Sequence, residues 1–315
     1  MPLNMRAEVQ SLNGRWEFSF AGGAWQTITV PGAWHAQTDA PRWAEGPARY
    51  RRVVRVPSHW QGRAVELAFD AVSYHAEVRV NGQPVGEHQG MWTLFSFDVT
   101  DVIRPGDDNT IELTVTAPSL NGGRFPLREA LAGFIPDVAL PFGGIWQGAR
   151  LVAHRGYRVD RLTVQPDMRT GLVTVRADID LAAEPLGNAQ ILLAVRAPSG
   201  STAAEARLPL RPGPLDATLQ IENPLPWSPE APALYTLELS IEDPAGDPAL
   251  RCTRRFGFRT LERDGTRLLL NGRPVHLRGE LHCGWYPETL TPAPDAETVR
   301  AEFAKLRAMG FNMVK

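Results

Sequence analysis

The chain has 315 residues, is 43% hydrophobic and 22% charged, and carries a net charge of −2. That length supports more than one buried core, and the near balance of charge leaves no basic field to draw the chain to nucleic acid or an anionic membrane. Two cysteines, Cys252 and Cys283, are too few for a disulfide framework or a thiolate metal site, so each is expected to be a simple thiol, and neither a cofactor nor a metal is expected.

The first residues, MPLNMRAEVQ, contain no apolar stretch of secretory length. No later run approaches the roughly 20 apolar residues that span a bilayer. A cytoplasmic protein with no membrane segment is the expectation. Nine Trp and 27 Pro are high counts; proline suits many short strands and ordered loops, and Trp suits large sandwich cores or sugar-stacking platforms.

From residue 11 to about 154 the pattern is one of short alternating segments with turn punctuation: WEFSF (16–20), WQTITV (25–30), YRRVVRV (50–56), AVELAF (64–69), AEVRV (76–80), IELTVT (111–116) and ARLVAH (149–154). Asn81-Gly82 directly after AEVRV predicts a type I′ hairpin, whose two central residues need positive φ. No helix-period segment of ordinary length interrupts them. The expectation is about eight to ten strands in an antiparallel jelly-roll sandwich. The Gly/Pro-punctuated segment 119–141 is too long for an ordinary hairpin, and such loops are commonly functional.

From 157 to about 256 a second all-β pattern follows, in VDRLTVQ, LVTVRADIDL, AQILLAVRA, ATLQIE, LYTLELSIED and RCTRRF. Roughly seven strands over about a hundred residues predict an immunoglobulin-like sandwich. The grammar then changes. RLLL-NG-RPVHL predicts a hairpin at Asn271-Gly272, and Asp295 can cap a helix whose Val299, Phe303, Leu306 and Met309 share one side at spacings of four, three and three. Gly310 provides the stop, and FNMVK opens another strand. Strand, helix, strand is the unit of a parallel barrel.

The pieces SLNGRWEF, VPGAW, YRRVVRVP, AEVRVNGQPVGEHQG, FSFDVTDVIRPGDDN, PFGGIWQGARLV and, further on, NPLPWSPEAPALYTLEL and FGFRTLERDGTRLLLNGRPVHLRGE occur in order. In that order they resemble the N-terminal part of family 2 glycoside hydrolases, which include β-galactosidases, β-glucuronidases and β-mannosidases. The resemblance runs from Ser11 to Lys315. It implies a jelly-roll, sugar-binding-type domain over 1–155, an immunoglobulin-like sandwich over 156–258, and the start of a (β/α)₈ catalytic barrel over 259–315. A barrel takes roughly 250 residues, so the last domain is expected to be incomplete and the chain a fragment.

The resemblance also implies the chemistry. Retaining glycosidases use two carboxyl groups about 5–5.5 Å apart; in family 2 these are glutamates at the ends of the fourth and seventh barrel strands, so no catalytic residue is expected within these 315 residues. Three substrate contacts are implied. His282 follows the first barrel strand, where the family keeps a sugar-binding histidine, although GELH is one residue shorter than the family's stretch and lacks its Asn. As a neutral-range titrating group it would make binding pH-sensitive; the plainer reading is a histidine satisfied by local backbone. Trp285, in the same loop, could stack on a sugar face or pack structurally. Asp137 lies one residue out of register with a family aspartate that reaches the barrel mouth, and is otherwise a solvated loop carboxylate. Trp16, Trp60, Trp92, Trp146 and Trp227 are read as structural.

The implied activity is hydrolysis of terminal β-glycosides by a retaining enzyme, with carbohydrate as the partner, no nucleic acid or membrane, and homo-oligomerisation left open. A stand-alone carbohydrate-binding module and a barrel glycosidase of a related family are the alternatives. No GxxxxGK[ST] or HExxH motif supports a nucleotide or metalloprotease reading.

Overall fold

The computed structural model describes residues 8–41, 43–120, 122–130, 141–154, 156–181, 187–242, 248–282, 286, 288–291 and 295–315. The chain divides into two compact units, one built on Val9–Ala153 with Leu281–Met309 and the other on His154–Glu280 with Gly310–Lys315.

Among the described residues the first unit contains ten strands: β1 (Glu8–Ser11), β2 (Gly14–Phe20), β3 (Gln26–Val30), β4 (Ala48–Arg55), β5 (Ala64–Phe69), β6 (His75–Val80), β7 (Gln83–Gln89), β8 (Phe95–Asp98), β9 (Asp108–Thr116) and β10 (Ala149–His154). They form a six-stranded sheet in the order β3-β2-β4-β9-β6-β7 and a four-stranded sheet in the order β1-β10-β5-β8. Strict alternation in β9 turns Asn109, Ile111, Leu113 and Val115 inward. Opposite them, Val65, Leu67 and Phe69 of β5 and Ala149, Leu151 and Ala153 of β10 complete a core that also holds Trp16, Phe18, Trp34, Tyr50 and Trp60. Each large apolar side chain so buried contributes about 1.5–3 kcal/mol.

Trp16, Trp60 and Trp146 are thus core residues, at 2%, 2% and 7% exposure. Trp92 differs: it is 48% exposed, with its ring edge-on to Trp146 at 5.7 Å. The hairpin at Asn81-Gly82 forms as expected, with φ of 51° and 80° and Val80 opposite Gln83. A one-residue shift in register between Val78 and Arg79 marks a bulge in the same hairpin.

The second unit holds a three-stranded and a four-stranded sheet, the immunoglobulin-like sandwich. β11 (Tyr157–Pro166), β12 (Leu172–Leu181) and β15 (Gly213–Gln220) form one; β14 (Thr202–Pro209), β13 (Gln190–Arg196), β16 (Tyr235–Glu242) and β17 (Pro248–Phe256) form the other, in that order. β14 was not among the expected strands; its TAAEAR stretch is alanine-rich and lies at the sheet's edge, where a strong β pattern is least needed. Val173, Val175, Leu193, Leu237, Leu239 and Cys252 are fully buried between the sheets. Burial pushes the Cys252 thiol up to about 12, which leaves it inert; Cys283 lies outside the described residues.

After Phe258 the chain forms a small meander of β18 (Leu261–Asp264), β19 (Arg267–Leu270) and β20 (Arg273–Val275). The Asn271-Gly272 turn has φ of 52° and 73°. The Asn271 side chain ties it down, accepting from Thr260 N–H and donating to the Trp227 carbonyl at 3.0 Å each. Trp227 in turn donates its N–H to the Phe258 carbonyl and lies under the Arg259 guanidinium. It therefore braces the exit from the sandwich. Two short strands, β21 (Gly279–Glu280) and β22 (Met313–Val314), pair in parallel. Between them in sequence lies helix α1 (Ala296–Ala308).

Candidate sugar-contact site

The sequence stretch after β21 and helix α1 bring together one polar cluster. The helix begins where Asp295 Oδ1 accepts from Thr298 N–H at 2.7 Å and Oδ2 accepts from Thr298 Oγ1 at 2.9 Å. These bonds hold the Asp295 carboxyl below the usual range. Gly310, at φ +86°, ends the helix in the left-handed region that a side chain disfavours. Within this helix Glu302 faces Tyr286 and His282.

Tyr286 donates its hydroxyl to Glu302 Oε2 at 2.5 Å. His282 Nε2 lies 3.4 Å from the Tyr286 oxygen and 3.6 Å from Glu302 Oε2. The hydrogen bond to Glu302, foremost, pushes the Tyr286 phenol up to about 12, so it stays a donor. With the Tyr286 proton committed to Glu302, Nε2 of His282 meets only acceptor lone pairs and must carry its own proton. Nδ1 is then the ring nitrogen left for a ligand. The His282 and Glu302 side chains are 35% and 30% exposed, so the cluster can be reached from solvent.

The structure therefore joins His282 to two side chains of different standing in the sequence. Tyr286 is a loop neighbour of His282. Glu302 carries no motif, and its place follows only from the helix: seven residues after the Asp295 cap is about two turns. The other two expected contacts, Trp285 and Asp137, lie outside the described residues.

The PFGGIWQ stretch that precedes β10 is anchored rather than open. Gly143 leaves room for Trp34, since a Cβ there would stand 2.1 Å from the indole Cη2. Ser73 Oγ donates to the Phe142 carbonyl at 2.7 Å, and Trp146 Nε1 donates to the Met91 carbonyl at 2.8 Å. Phe142 and Trp146 stack edge to face in a satellite core with Ala33, Ala71, Met91 and Leu127. These residues shape one end of the first sandwich; residues 131–140 of the segment 119–141 lie outside the described residues.

Comparison with known proteins gives matches over both sandwiches. A model described as the galactose-binding-like domain of glycosyl hydrolase 2 matches residues 23–127, and one described as glycosyl hydrolases family 2 matches 157–259. A β-galactosidase of Thermoanaerobacter pseudethanolicus is 28% identical over 273 residues, covering 84% of this chain and 35% of its own length. A β-glucuronidase of Paenibacillus borealis is 26% identical over 246 residues, covering 74% of this chain and 40% of its own. The solved β-glucuronidase of Ruminococcus gnavus in complex with D-glucuronic acid superposes with a TM-score of 0.78 at 20% identity, covering 100% of this chain and 57% of that one. That of Bacteroides uniformis superposes at 0.80 with 23% identity, covering 98% and 39%. The chain thus spans between about a third and two-fifths of the length of these two curated relatives.

Proposed function

Since this chain belongs to glycosyl hydrolase family 2, being similar to the N-terminal portion of its members, we propose that it serves a retaining glycosidase of terminal β-glycosides. In this reading it scaffolds the catalytic barrel and supplies part of the sugar site. The observation that carries the proposal is the ordered match of the two family models to the two sandwiches. The domain limits are proposed as 1–155, 156–258 and 259–315, with the last segment as the first βα unit of a barrel; the matches over 23–127 and 157–259 support the first two of these domains.

The parallel pairing of β21 with β22 on either side of α1 supports that assignment. So does the exposure of the apolar residues of this segment: Leu281, Phe303 and Met309 are 57%, 47% and 71% exposed. Packed strands and helices of a barrel bury such side chains against further βα units. A stand-alone binding module has no use for them.

His282 is proposed as a contact to a sugar hydroxyl, through Nδ1 with Nε2 held by Tyr286 and Glu302. Trp285 and Asp137 are proposed as further sugar contacts on the family resemblance. The catalytic carboxylate pair is proposed to come from the portion of the relatives' length that this chain does not span. No helix among the described residues is long and apolar enough to cross a membrane. The test is turnover of a panel of nitrophenyl β-glycosides. The full-length product of the gene is expected to cleave at least one, and the isolated 315-residue chain none. Hydrolysis above blank by the pure 315-residue chain would overturn the division of labour.

A further inference from the structure

We propose that β6 and β7 carry a divalent-cation site of the zinc type, formed by His75, Glu77 and Glu87. The sequence offers no metal motif here. In the structure one ligand atom from each of these three residues lies within 4.8 Å of the others. Glu77 and Glu87 stand directly opposite each other across the antiparallel pair, an arrangement of like charges that is destabilising unless something positive sits between them. His75 is on the same face two residues before Glu77, and its Nε2 lies 3.3 Å from Glu87 Oε2.

Two further observations point to a ligand. First, His75 is 6% exposed, with its ring stacked on Phe125 at 5.2 Å and 24°. Among the described residues its imidazole has no polar partner except Glu87. The buried ring thus sets one nitrogen donor beside two carboxylate oxygens, all within 4.8 Å of one another. Second, no arginine among the described residues pairs with either carboxylate. Arg79, two residues along β6, donates instead to the Gly82 carbonyl at 2.9 Å, and Arg124 lies over the Phe125 ring.

The donor set selects the metal. One imidazole nitrogen and two carboxylates suit zinc or a neighbouring transition metal; calcium, which takes oxygen ligands in larger number, would find too few. Tetrahedral coordination at about 2.0–2.2 Å sets neighbouring donors roughly 3.4 Å apart. The His75–Glu87 pair already meets that spacing, and Glu77 is exposed and free to swing in. Three protein donors leave one position for water. The cation would neutralise the facing carboxylates and tie the β6–β7 hairpin to the ring stack beneath Phe125.

The test is titration of the chelator-stripped 315-residue chain with ZnCl2 by calorimetry, alongside thermal melts with and without the metal. The expected result is one saturable site that raises Tm, with calcium giving neither effect. Glu77→Gln with Glu87→Gln removes both carboxylate ligands and should abolish saturable zinc binding and the Tm increase. These side chains are exposed, so the double variant should fold; His75→Gln is the second variant. Absence of saturable zinc binding, or equal affinity in the double glutamine variant, would overturn the proposal.

Discussion

Asn109 illustrates how single residues hold this fold together. It is fully buried, and every hydrogen-bonding atom of its amide is used: Nδ2 donates to the Arg104 and Asp107 carbonyls, and Oδ1 accepts from Arg104 N–H and from Asn81 Nδ2. Asn81 in turn accepts from Thr110 N–H and donates to the Val102 carbonyl. The NG turn and the RPGDDN loop are therefore locked together by two amides. Replacing Asn109 with alanine strands several buried groups, and each such group costs about 1–3 kcal/mol. A urea melt should show a loss in that range or above it; a loss of a few tenths would mean that the loop relaxes to water. The His282–Tyr286–Glu302 cluster works on the same principle, since a committed phenol proton determines which imidazole nitrogen remains for a ligand.

At the scale of elements, the sandwich end around PFGGIWQ depends on close approach. Trp34 is completely buried, and the space it fills lies over the α-carbon of Gly143. Gly143→Ala would drive a methyl into the indole, with a cost of about 1–3 kcal/mol from overpacking, read as a lower urea midpoint with the slope unchanged. Little or no shift would show that Trp34 can move aside. The GG pair in GGIW is thus explained by packing of an aromatic core before any role in sugar recognition is invoked. Helix α1 is an element of the other kind. Its cap and stop residues were legible in the sequence, and its apolar stripe was too, yet none of its residues is buried among the described chain.

At the scale of the whole molecule, the two sandwiches have separate cores, and the chemistry proposed for the enzyme is placed outside both. His282 belongs to this scale because its role is defined only against a complete sugar site. In the proposed full-length glycosidase His282→Ala is expected to raise KM by about tenfold with kcat little changed, the signature of a hydrogen bond made equally to substrate and transition state. A large loss in kcat at unchanged KM would assign it a part in the chemistry instead.

Much of this could be read from residues alone. The alternation in IELTVT and LVTVRADIDL reports strands that bury one face, because side chains in a strand point alternately to opposite sides. Asn81-Gly82 and Asn271-Gly272 report their turns, because few residues accept positive φ at both central positions. Asp295 and Gly310 report the helix ends through the orphan backbone groups they satisfy. What the tertiary structure decided is which side chains meet. The turn at Asn81-Gly82 pairs Val80 with Gln83, and an unbroken ladder from there would set Glu77 against Gly86 and Glu87 against Ala76. The bulge between Val78 and Arg79 adds one residue, and Glu77 faces Glu87 beside His75. A shift of one position turns a strand's side chains to the other face, and no local propensity announces it. Gly86 is part of the reason: a Cβ there would stand 2.3 Å from the Phe97 ring, so the register of this hairpin answers to a ring on another strand.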